Sequence, residues 1–121
     1  MELDHVAVVV RNIAESVEWY TTNVGAEVLY ADATWAFLRA GQGKIALVMA
    51  HQHPPHVAVR VNETTLYELA SQHQQAIDTH RDGTQGFYFN DPDGNVIEVI
   101  CYPPGQTVYD GTRDEGLGAR G

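Results

Sequence analysis

HVAVVV (residues 5–10) and HVAVRV (residues 56–61) are nearly the same six residues, written twice at a spacing of 51 positions. Runs dominated by valine are typical of β-strands. The same spacing sets AFLRAGQGKIALV (residues 36–48) against FYFNDPDGNVIEV (residues 87–99), and each of these segments reads as two apolar strands around a tight turn. The repeat therefore indicates one unit of strand and hairpin that occurs twice in the chain.

A helix is predicted between the first strand and the hairpin of each copy. In the first copy, Asn12 and Glu15 form a capping pattern that is followed by apolar residues at helical spacing. In the second copy, Thr65 and Glu68 form the capping box. A further strand is predicted over residues 26–32. Each half is therefore expected to contain a strand, a helix and then two or three strands.

The composition of the 121-residue chain fits one domain and excludes several functions. Its net charge of −9 repels phosphate backbones, so no nucleic-acid partner is expected. No apolar run approaches the length of a membrane span, and the N-terminus lacks the basic residues of a signal peptide, which predicts a cytoplasmic protein with no membrane partner. The single cysteine, Cys101, lies in an apolar run and is interpreted as a buried hydrophobe.

The two repeated histidines are predicted to face the same space. Side chains alternate along a strand, so Val6, Val8 and Val10 share one face and His5 lies on the other. The same alternation starts again at His56. The valine faces are the expected seats of the two helices. Both histidines then point into the space that the two halves enclose.

A carboxylate is predicted to join them. Glu98 lies in NVIEVICY (residues 95–102), a strand with apolar residues on both faces. A buried carboxylate needs a base, a proton or a cation to offset the loss of its hydration. Two imidazoles and one carboxylate suit a divalent metal with positions left open. The alternative, that each histidine is an ordinary packed or surface residue, remains open.

Several of these segments resemble those of a known family. LDHVAVVV with NIAESVEWYTTNVGAEV, then HVAVRV, and then GFYFNDPDGNVIEVI are similar to segments of the vicinal oxygen chelate superfamily, over about residues 3–102. That group includes glyoxalase I, extradiol dioxygenases, fosfomycin-resistance proteins, methylmalonyl-CoA epimerase and bleomycin-binding proteins. The resemblance implies an α+β fold of two tandem βαβββ modules, whose mixed sheet forms a U-shaped cleft around a metal.

The resemblance also implies the ligands and the cofactor. His5, His56 and Glu98 match the three metal ligands of the family. One divalent ion per site is therefore expected, and N and O donors do not distinguish Fe, Mn, Zn and Ni. Short members of the family often pair, so a homodimer is expected, with the ligands of each site drawn from one chain or from both.

The expected organisation is a single domain that spans the whole chain. Its first module covers about residues 1–50, its second module covers about residues 56–102, and a polar tail covers residues 103–121. The tail is glycine-rich and lacks apolar periodicity, which is typical of a mobile segment. The alternative is that it folds over the cleft through Tyr109 and brings Arg113 to the site.

Two departures from the family pattern narrow the chemistry. Glyoxalase I has a fourth ligand, a carboxylate, in the strand that matches KIALVM, where this chain has Ala46 or Leu47, depending on the alignment. Neither side chain binds a metal or moves a proton, so glyoxalase I chemistry is not favoured. The epimerases have a long helical link between the modules, whereas this chain has only HQHPP (residues 51–55), which argues against epimerase activity.

Further side chains are candidates for contacts with a substrate. Tyr88 resembles the active-site tyrosine of extradiol dioxygenases, with a packing role as the alternative. Arg60 shares the cleft face with His56, where it either binds an anionic substrate or pairs with an acid. His80 lies near the place where such dioxygenases keep an additional histidine. The HQHPPH spacing (residues 51–56) is interpreted as a polar loop rather than a second zinc site.

Two functions of different classes follow. The first is a metal-dependent enzyme acting on a small molecule that chelates the ion through adjacent oxygens, by dioxygenase-like chemistry or by transferase or lyase chemistry of the fosfomycin-resistance type. The alternative is a non-catalytic, drug-sequestering protein of the bleomycin-resistance type, which the acidic charge favours. A metal kept only for stability is a third alternative.

Overall fold

The order of strands and helices follows the repeat in the sequence. The computed structural model describes residues 1–80 and 83–104. Over these residues each half has a strand, a helix and three further strands, which is the βαβββ order. The elements are β1 (Glu2–Val9), α1 (Ile13–Asn23), β2 (Glu27–Ala31), β3 (Ala36–Ala40), β4 (Gly43–Val48), β5 (His56–Arg60), α2 (Glu63–Gln72), β6 (Asp78–Thr79), β7 (Gln85–Asn90) and β8 (Val96–Cys101).

The strands of the described residues form one mixed sheet in the order β2-β3-β4-β1-β5-β8-β7-β6. The two halves run outward from the centre, where β1 and β5 pair antiparallel. In each half the first strand pairs with the last in parallel, β1 with β4 and β5 with β8. The predicted α+β fold of two tandem βαβββ modules is confirmed. The domain boundaries proposed for the modules and the tail stay predictions.

An asparagine caps the N-terminus of each helix. The side chain of Asn12 accepts a hydrogen bond from the backbone N–H of Glu15 at 2.8 Å, as predicted for α1. The prediction that Thr65 caps α2 is wrong, because α2 begins at Glu63 and the Asn62 side chain accepts from the Thr65 N–H at 2.8 Å. Asparagine caps at least as well as threonine, and Glu63 places a favourable negative charge in the first turn.

The helices cover one face of the sheet. α1 buries Ile13 against the first half, and α2 buries Leu66 against the second. The predicted valine faces are covered only in part. Val6 and Val57 pair at the centre of the sheet and are 36% and 37% exposed. Neither belongs to the apolar clusters in which α1 and α2 pack on the sheet. Neither helix of the described residues is long and apolar enough to cross a membrane.

The opposite face of the sheet curves around a cleft. Trp35, which directly precedes β3, and Tyr88, on β7, line the same small cavity. In the strand order β3 and β7 are five positions apart, a separation of roughly 24 Å in a flat sheet at the usual strand spacing. Two residues this far apart in the order meet only if the sheet bends strongly, which is the predicted U shape.

Candidate metal centre

Three buried side chains converge at the centre of the sheet. One ligand atom from each of His5, His56 and Glu98 lies within 4.8 Å of the other two. Glu98 Oε1 is 3.5 Å from His5 Nε2 and 3.3 Å from His56 Nε2. All three residues are buried, as predicted for Glu98. Across residues 1–80 and 83–104, this is the one group of three or more His, Cys, Asp or Glu side chains arranged to hold a metal.

The register of three adjacent strands explains why these side chains meet. β1 and β5 are antiparallel, so that His5 pairs with Ala58 while Ala7 pairs with His56. β5 and β8 are parallel, and Ala58 also lies opposite Glu98. The three side chains therefore emerge from neighbouring strands on the same face of the sheet. Within one chain the three side chains are therefore close enough to form a site.

Hydrogen bonds assign the proton on each imidazole ring. His56 Nδ1 lies 3.0 Å from the carbonyl oxygen of Pro54, and a carbonyl only accepts, so this Nδ1 carries the proton. His5 Nδ1 lies 2.6 Å from Asp4 Oδ2, and an ionised carboxylate likewise only accepts. In a neutral ring the other nitrogen, Nε2, then holds a lone pair. Both lone-pair nitrogens face Glu98 Oε1.

Three acceptor atoms this close repel one another unless a proton or a cation lies between them. When the rings of His5 and His56 are neutral, neither Nε2 donates a hydrogen bond to Glu98. His5 Nε2 has no hydrogen-bond partner among the described residues. Metal–ligand bonds of about 2.0–2.2 Å place two ligands of one ion roughly 3.0–3.5 Å apart. Glu98 lies at 3.5 and 3.3 Å from the two rings. The donor set therefore fits a divalent cation.

Asp4 lies behind His5 at the centre of a buried charge network. Its carboxylate accepts hydrogen bonds from His5, Tyr102 and Lys44 at 2.6, 3.0 and 3.4 Å, and Arg60 Nη1 is 3.9 Å away. Burial raises the pKa of the Asp4 carboxyl, but the hydrogen bond from His5, the charge of Lys44 and the hydrogen bond from Tyr102 outweigh it and hold the pKa below its ordinary value of 3.8. The ionised carboxylate holds the His5 ring and makes its Nε2 a better donor to a cation.

Sequence reasoning missed Asp4, because strict alternation places it on the face opposite His5. The pairing of β1 with β5 shifts by one residue between Leu3 and His5, which is a β-bulge at Asp4. The bulge brings two consecutive polar side chains inside, and both are 1% exposed. The acid beside the histidine was visible in the sequence, but nothing there marked the bulge.

Ala46 occupies the place that corresponds to Glu98 in the other half. Ala7 pairs with Ala46 in the same way that Ala58 pairs with Glu98. Leu47, the alternative, packs on the helix side of the sheet. The position that corresponds to Glu98 is therefore held by the methyl group of Ala46, and the strand pairing agrees with the alignment that places Ala46, rather than Leu47, there.

A narrow cavity of about 20 Å³ opens beside the ligands. Trp35, Ala46 and Val48 form its apolar wall, while His53 and Tyr88 add polar groups. The backbone N–H of His53 donates to the Met49 carbonyl at 3.1 Å, which fixes the turn that carries it. Trp35 and the position of His53 at the cavity were not predicted, since both depend on the curvature of the sheet and the path of a loop.

The other candidate residues lie at different distances from the cluster of His5, His56 and Glu98. The Tyr88 ring packs edge-on against His56 with 5.5 Å between centroids. His80 Nε2 is 3.9 Å from Glu98 Oε2, the oxygen that does not face the other two rings. Arg60 donates to Glu2 at 2.8 Å, and this hydrogen bond raises the pKa of the guanidinium. The catalytic role of Tyr88 and the substrate-binding role of Arg60 stay predictions.

The remaining sequence features lie outside the cluster of His5, His56 and Glu98. His51 is exposed, and no metal-binding group in the described part of the chain includes it or His53. Cys101 is buried in the second-half core, as predicted, and burial, with a smaller effect of the Glu63 charge, raises the pKa of its thiol. The proposed contacts of Tyr109 and Arg113 fall outside the described residues.

The chain has the architecture of a protein with two paired modules and a central cleft. Its two βαβββ halves surround the buried side chains of His5, His56 and Glu98. The family described as the Glyoxalase/Bleomycin resistance protein/Dioxygenase superfamily matches residues 2–99. The chain belongs to this superfamily. No curated protein matches the sequence.

Solved structures of the superfamily have the same fold. A methylmalonyl-CoA epimerase from Mycobacterium tuberculosis superposes with a TM-score of 0.69 at 19% identity, over 85% of this chain and 89% of that one. A Mn(II)-bound glyoxalase from Novosphingobium aromaticivorans gives 0.64 at 22% identity, over 82% of this chain and 37% of that one. A superfamily member from Vibrio splendidus 12B01 gives 0.61 at 15% identity, over 82% and 98%. At these identities the likeness extends to the fold alone.

Proposed function

We propose that the protein is a metal-dependent enzyme that binds a small substrate through two adjacent oxygen atoms. His5, His56 and Glu98 are the proposed ligands of one divalent cation. The observation that carries the proposal is the approach of three buried donor atoms to within 4.8 Å, with no hydrogen-bond partner for His5 Nε2 among the described residues. When bound, such an ion supplies a Lewis acid, or an oxygen-activating centre if it is iron.

The surrounding residues prepare the site for this chemistry. Asp4 and the Pro54 carbonyl hold the two rings with Nε2 turned toward Glu98. The apolar wall that includes Trp35 limits the access of water to the same space. The Tyr88 hydroxyl is the proposed hydrogen-bond donor to an oxygen of the bound substrate, because its ring packs against a proposed ligand and lines the cavity.

The residue at position 46 narrows the reaction class. Moving a proton between two substrate carbons requires a base within reach of the substrate, and the place where glyoxalase I has a carboxylate holds Ala46 instead. We therefore propose dioxygenase-like chemistry, or transferase or lyase chemistry of the fosfomycin-resistance type. The Mn(II)-bound glyoxalase is consistent with a divalent ion in this fold, but its low identity does not extend its reaction to this chain.

The test is a reaction panel on protein loaded with each candidate metal. Anaerobic loading with Fe(II), followed by catechols and measurement of oxygen uptake, tests ring cleavage. Thiol or water addition to an epoxide tests the transferase and lyase chemistry. We expect turnover in one branch, its loss in Glu98→Gln, and a decrease of about 10- to 100-fold in kcat for Tyr88→Phe if the tyrosine assists proton transfer. Metal-loaded protein that turns over neither class of substrate would contradict the enzyme proposal.

A drug-sequestering protein is the alternative, and the net charge of −9 is the feature that favours it. It predicts that metal-free protein binds a basic glycopeptide tightly and that Glu98→Ala leaves this binding unchanged. Titration of the glycopeptide into metal-free wild-type protein and into Glu98→Ala measures both the strength of this binding and its dependence on Glu98. The proposed homodimer and the cytoplasmic location stay predictions.

A further inference from the structure

We infer that the substrate of the proposed enzyme has an uncharged, largely apolar body, which lies in a second cavity beyond His53 and Tyr88. The inference rests on the proposed function, because it concerns the part of the substrate that the metal does not bind. It adds a substrate class to that function, and it assigns a binding role to a surface that the candidate metal centre does not include.

The cavity at the ligands is too small for a whole substrate. Its volume is about 20 Å³, which is room for about one water molecule. Only the chelating atoms of a substrate fit there without movement of the walls. A second cavity of about 430 Å³ lies beside it, and His53 and Tyr88 line both. The remainder of a chelating molecule therefore extends past these two side chains.

The walls of the second cavity are apolar or carry uncharged polar groups. Neither cavity has a lysine, arginine, aspartate or glutamate among its described lining residues. A charged group placed against these walls gains no ion pair to offset the part of its hydration that it loses, whereas an apolar group gains from burying its surface there. Apart from the shared His53 and Tyr88, the second cavity is lined by Pro54, Gln75, Phe89, Asn90 and Val96.

The cations that face the cleft are held elsewhere. Lys44 and Arg60 both interact with Asp4, at 3.4 and 3.9 Å. Arg60 lines a separate cavity of about 570 Å³ that shares no described lining residue with the other two. It is also four residues along β5 from His56, or roughly 13 Å at the usual rise of a strand. A phosphonate or a strongly basic ligand therefore lacks a partner on these walls.

Three hydroxamates that bind a metal through the same two oxygens test the inference. Protein is first titrated with Mn²⁺, and the loaded protein is then titrated with acetohydroxamate, benzohydroxamate and 4-carboxybenzohydroxamate by calorimetry. We expect benzohydroxamate to bind at least about tenfold more tightly than the other two, because the methyl group of acetohydroxamate buries much less apolar surface and the third probe carries a charged carboxylate. Equal or tighter binding of the carboxylated probe overturns the inference.

A change of charge in the second cavity provides the matched control. Val96→Lys adds a cation to the proposed wall, and Val96→Met adds similar length without charge. We expect Val96→Lys to tighten the carboxylated probe by about tenfold relative to Val96→Met. If both variants bind Mn²⁺ and the carboxylated probe equally, the body of the probe does not lie there and the inference is wrong. Failure of wild-type protein to bind Mn²⁺ or any other candidate metal overturns the proposed function itself, and the inference with it.

Discussion

The Asp4 carboxylate determines which nitrogen of His5 is available to a cation. It is buried, ionised and 2.6 Å from Nδ1, so it keeps the proton on that nitrogen and leaves the lone pair on Nε2. His56 is held by a backbone carbonyl instead, at 3.0 Å. The two rings therefore occupy equivalent places but have different supports, and His5 has the more polarising one.

Asp4→Asn tests this support at the scale of one side chain. We expect divalent metal affinity to fall by about 10- to 100-fold, because the His5 ring loses its negatively charged partner. Calorimetry measures the affinity, and ¹⁵N NMR of the metal-free protein reports whether His5 keeps its proton on Nδ1. Tyr102→Phe is the control, since it removes one hydrogen bond to Asp4 at 3.0 Å and leaves the carboxylate in place. Unchanged metal affinity and an unchanged tautomer in Asp4→Asn would contradict the assignment.

At the scale of elements, β7 approaches β8 so closely that position 86 requires a glycine. A Cβ on Gly86 would lie 2.4 Å from the backbone oxygen of Val99, a contact that no side-chain rotation relieves. Val99 is the neighbour of Glu98 on β8. The absence of a side chain at Gly86 therefore helps to set the position of the strand that carries the proposed carboxylate ligand.

Gly86→Ala and Gly43→Ala form a matched pair of tests for this contact. We expect Gly86→Ala to lower the free energy of unfolding by about 1–3 kcal/mol, because the strands must move apart. Its metal affinity should fall as well. In the other hairpin, a Cβ on Gly43 would meet its nearest atom at 3.7 Å, an ordinary contact, so Gly43→Ala should change stability by about 0.5 kcal/mol or less. Similar results for both variants in urea unfolding would refute the packing argument.

Asp32 holds the turn between β2 and β3 that carries Trp35 into the cavity wall. Its carboxylate accepts hydrogen bonds from Tyr30, from the backbone and side chain of Thr34, and from the Trp35 N–H. Burial alone would raise the pKa of Asp32, but these hydrogen bonds lower it from 3.8 to about 2. The ionised form therefore stabilises the turn.

The depressed pKa of Asp32 predicts a pH-dependent contribution to stability. The contribution is complete above the ordinary pKa of 3.8, and it is lost as the pH falls toward about 2, where the folded protein also binds the proton. Wild type should therefore be more stable than Asp32→Asn at pH 6, and the difference should shrink as the pH falls from 4 to 2. Thermal unfolding of both proteins across this range measures it. A difference that stays constant with pH would show that the charge of Asp32 is not involved.

At the scale of the whole molecule, the internal repeat determines where the site lies. The first strands of the two halves pair antiparallel at the centre of the sheet, so equivalent residues such as His5 and His56 meet there. Glu98 reaches the same point because the last strand of the second half pairs with β5. The corresponding place in the first half holds Ala46, so the two halves contribute unequally to the cleft.

The fold and the convergence of His5, His56 and Glu98 were predictable from the sequence because both depend on local patterns. Strand alternation assigned the faces of His5 and His56, and the apolar context of Glu98 predicted its burial. Asp4 was not predictable, because a one-residue bulge reverses its face without any change in the pattern. The start of α2 was placed too late because Asn62 competes successfully as a cap. The meeting of Trp35 with Tyr88 depends on the curvature of the whole sheet, which no short segment encodes.

The most direct test of the account is metal stoichiometry, measured by calorimetry on protein purified without a tag and stripped with a chelator. We expect about one divalent ion per chain, the same affinity after tenfold dilution of the protein, and loss of binding in Glu98→Ala. A site formed within one chain keeps its affinity on dilution, whereas a site shared by two chains loses affinity as the chains separate. The three proposed ligands lie within 4.8 Å of one another in one chain. An absence of binding for all of Fe, Mn, Zn and Ni, or full retention of binding in Glu98→Ala, would contradict the central claim that these three side chains form the metal centre.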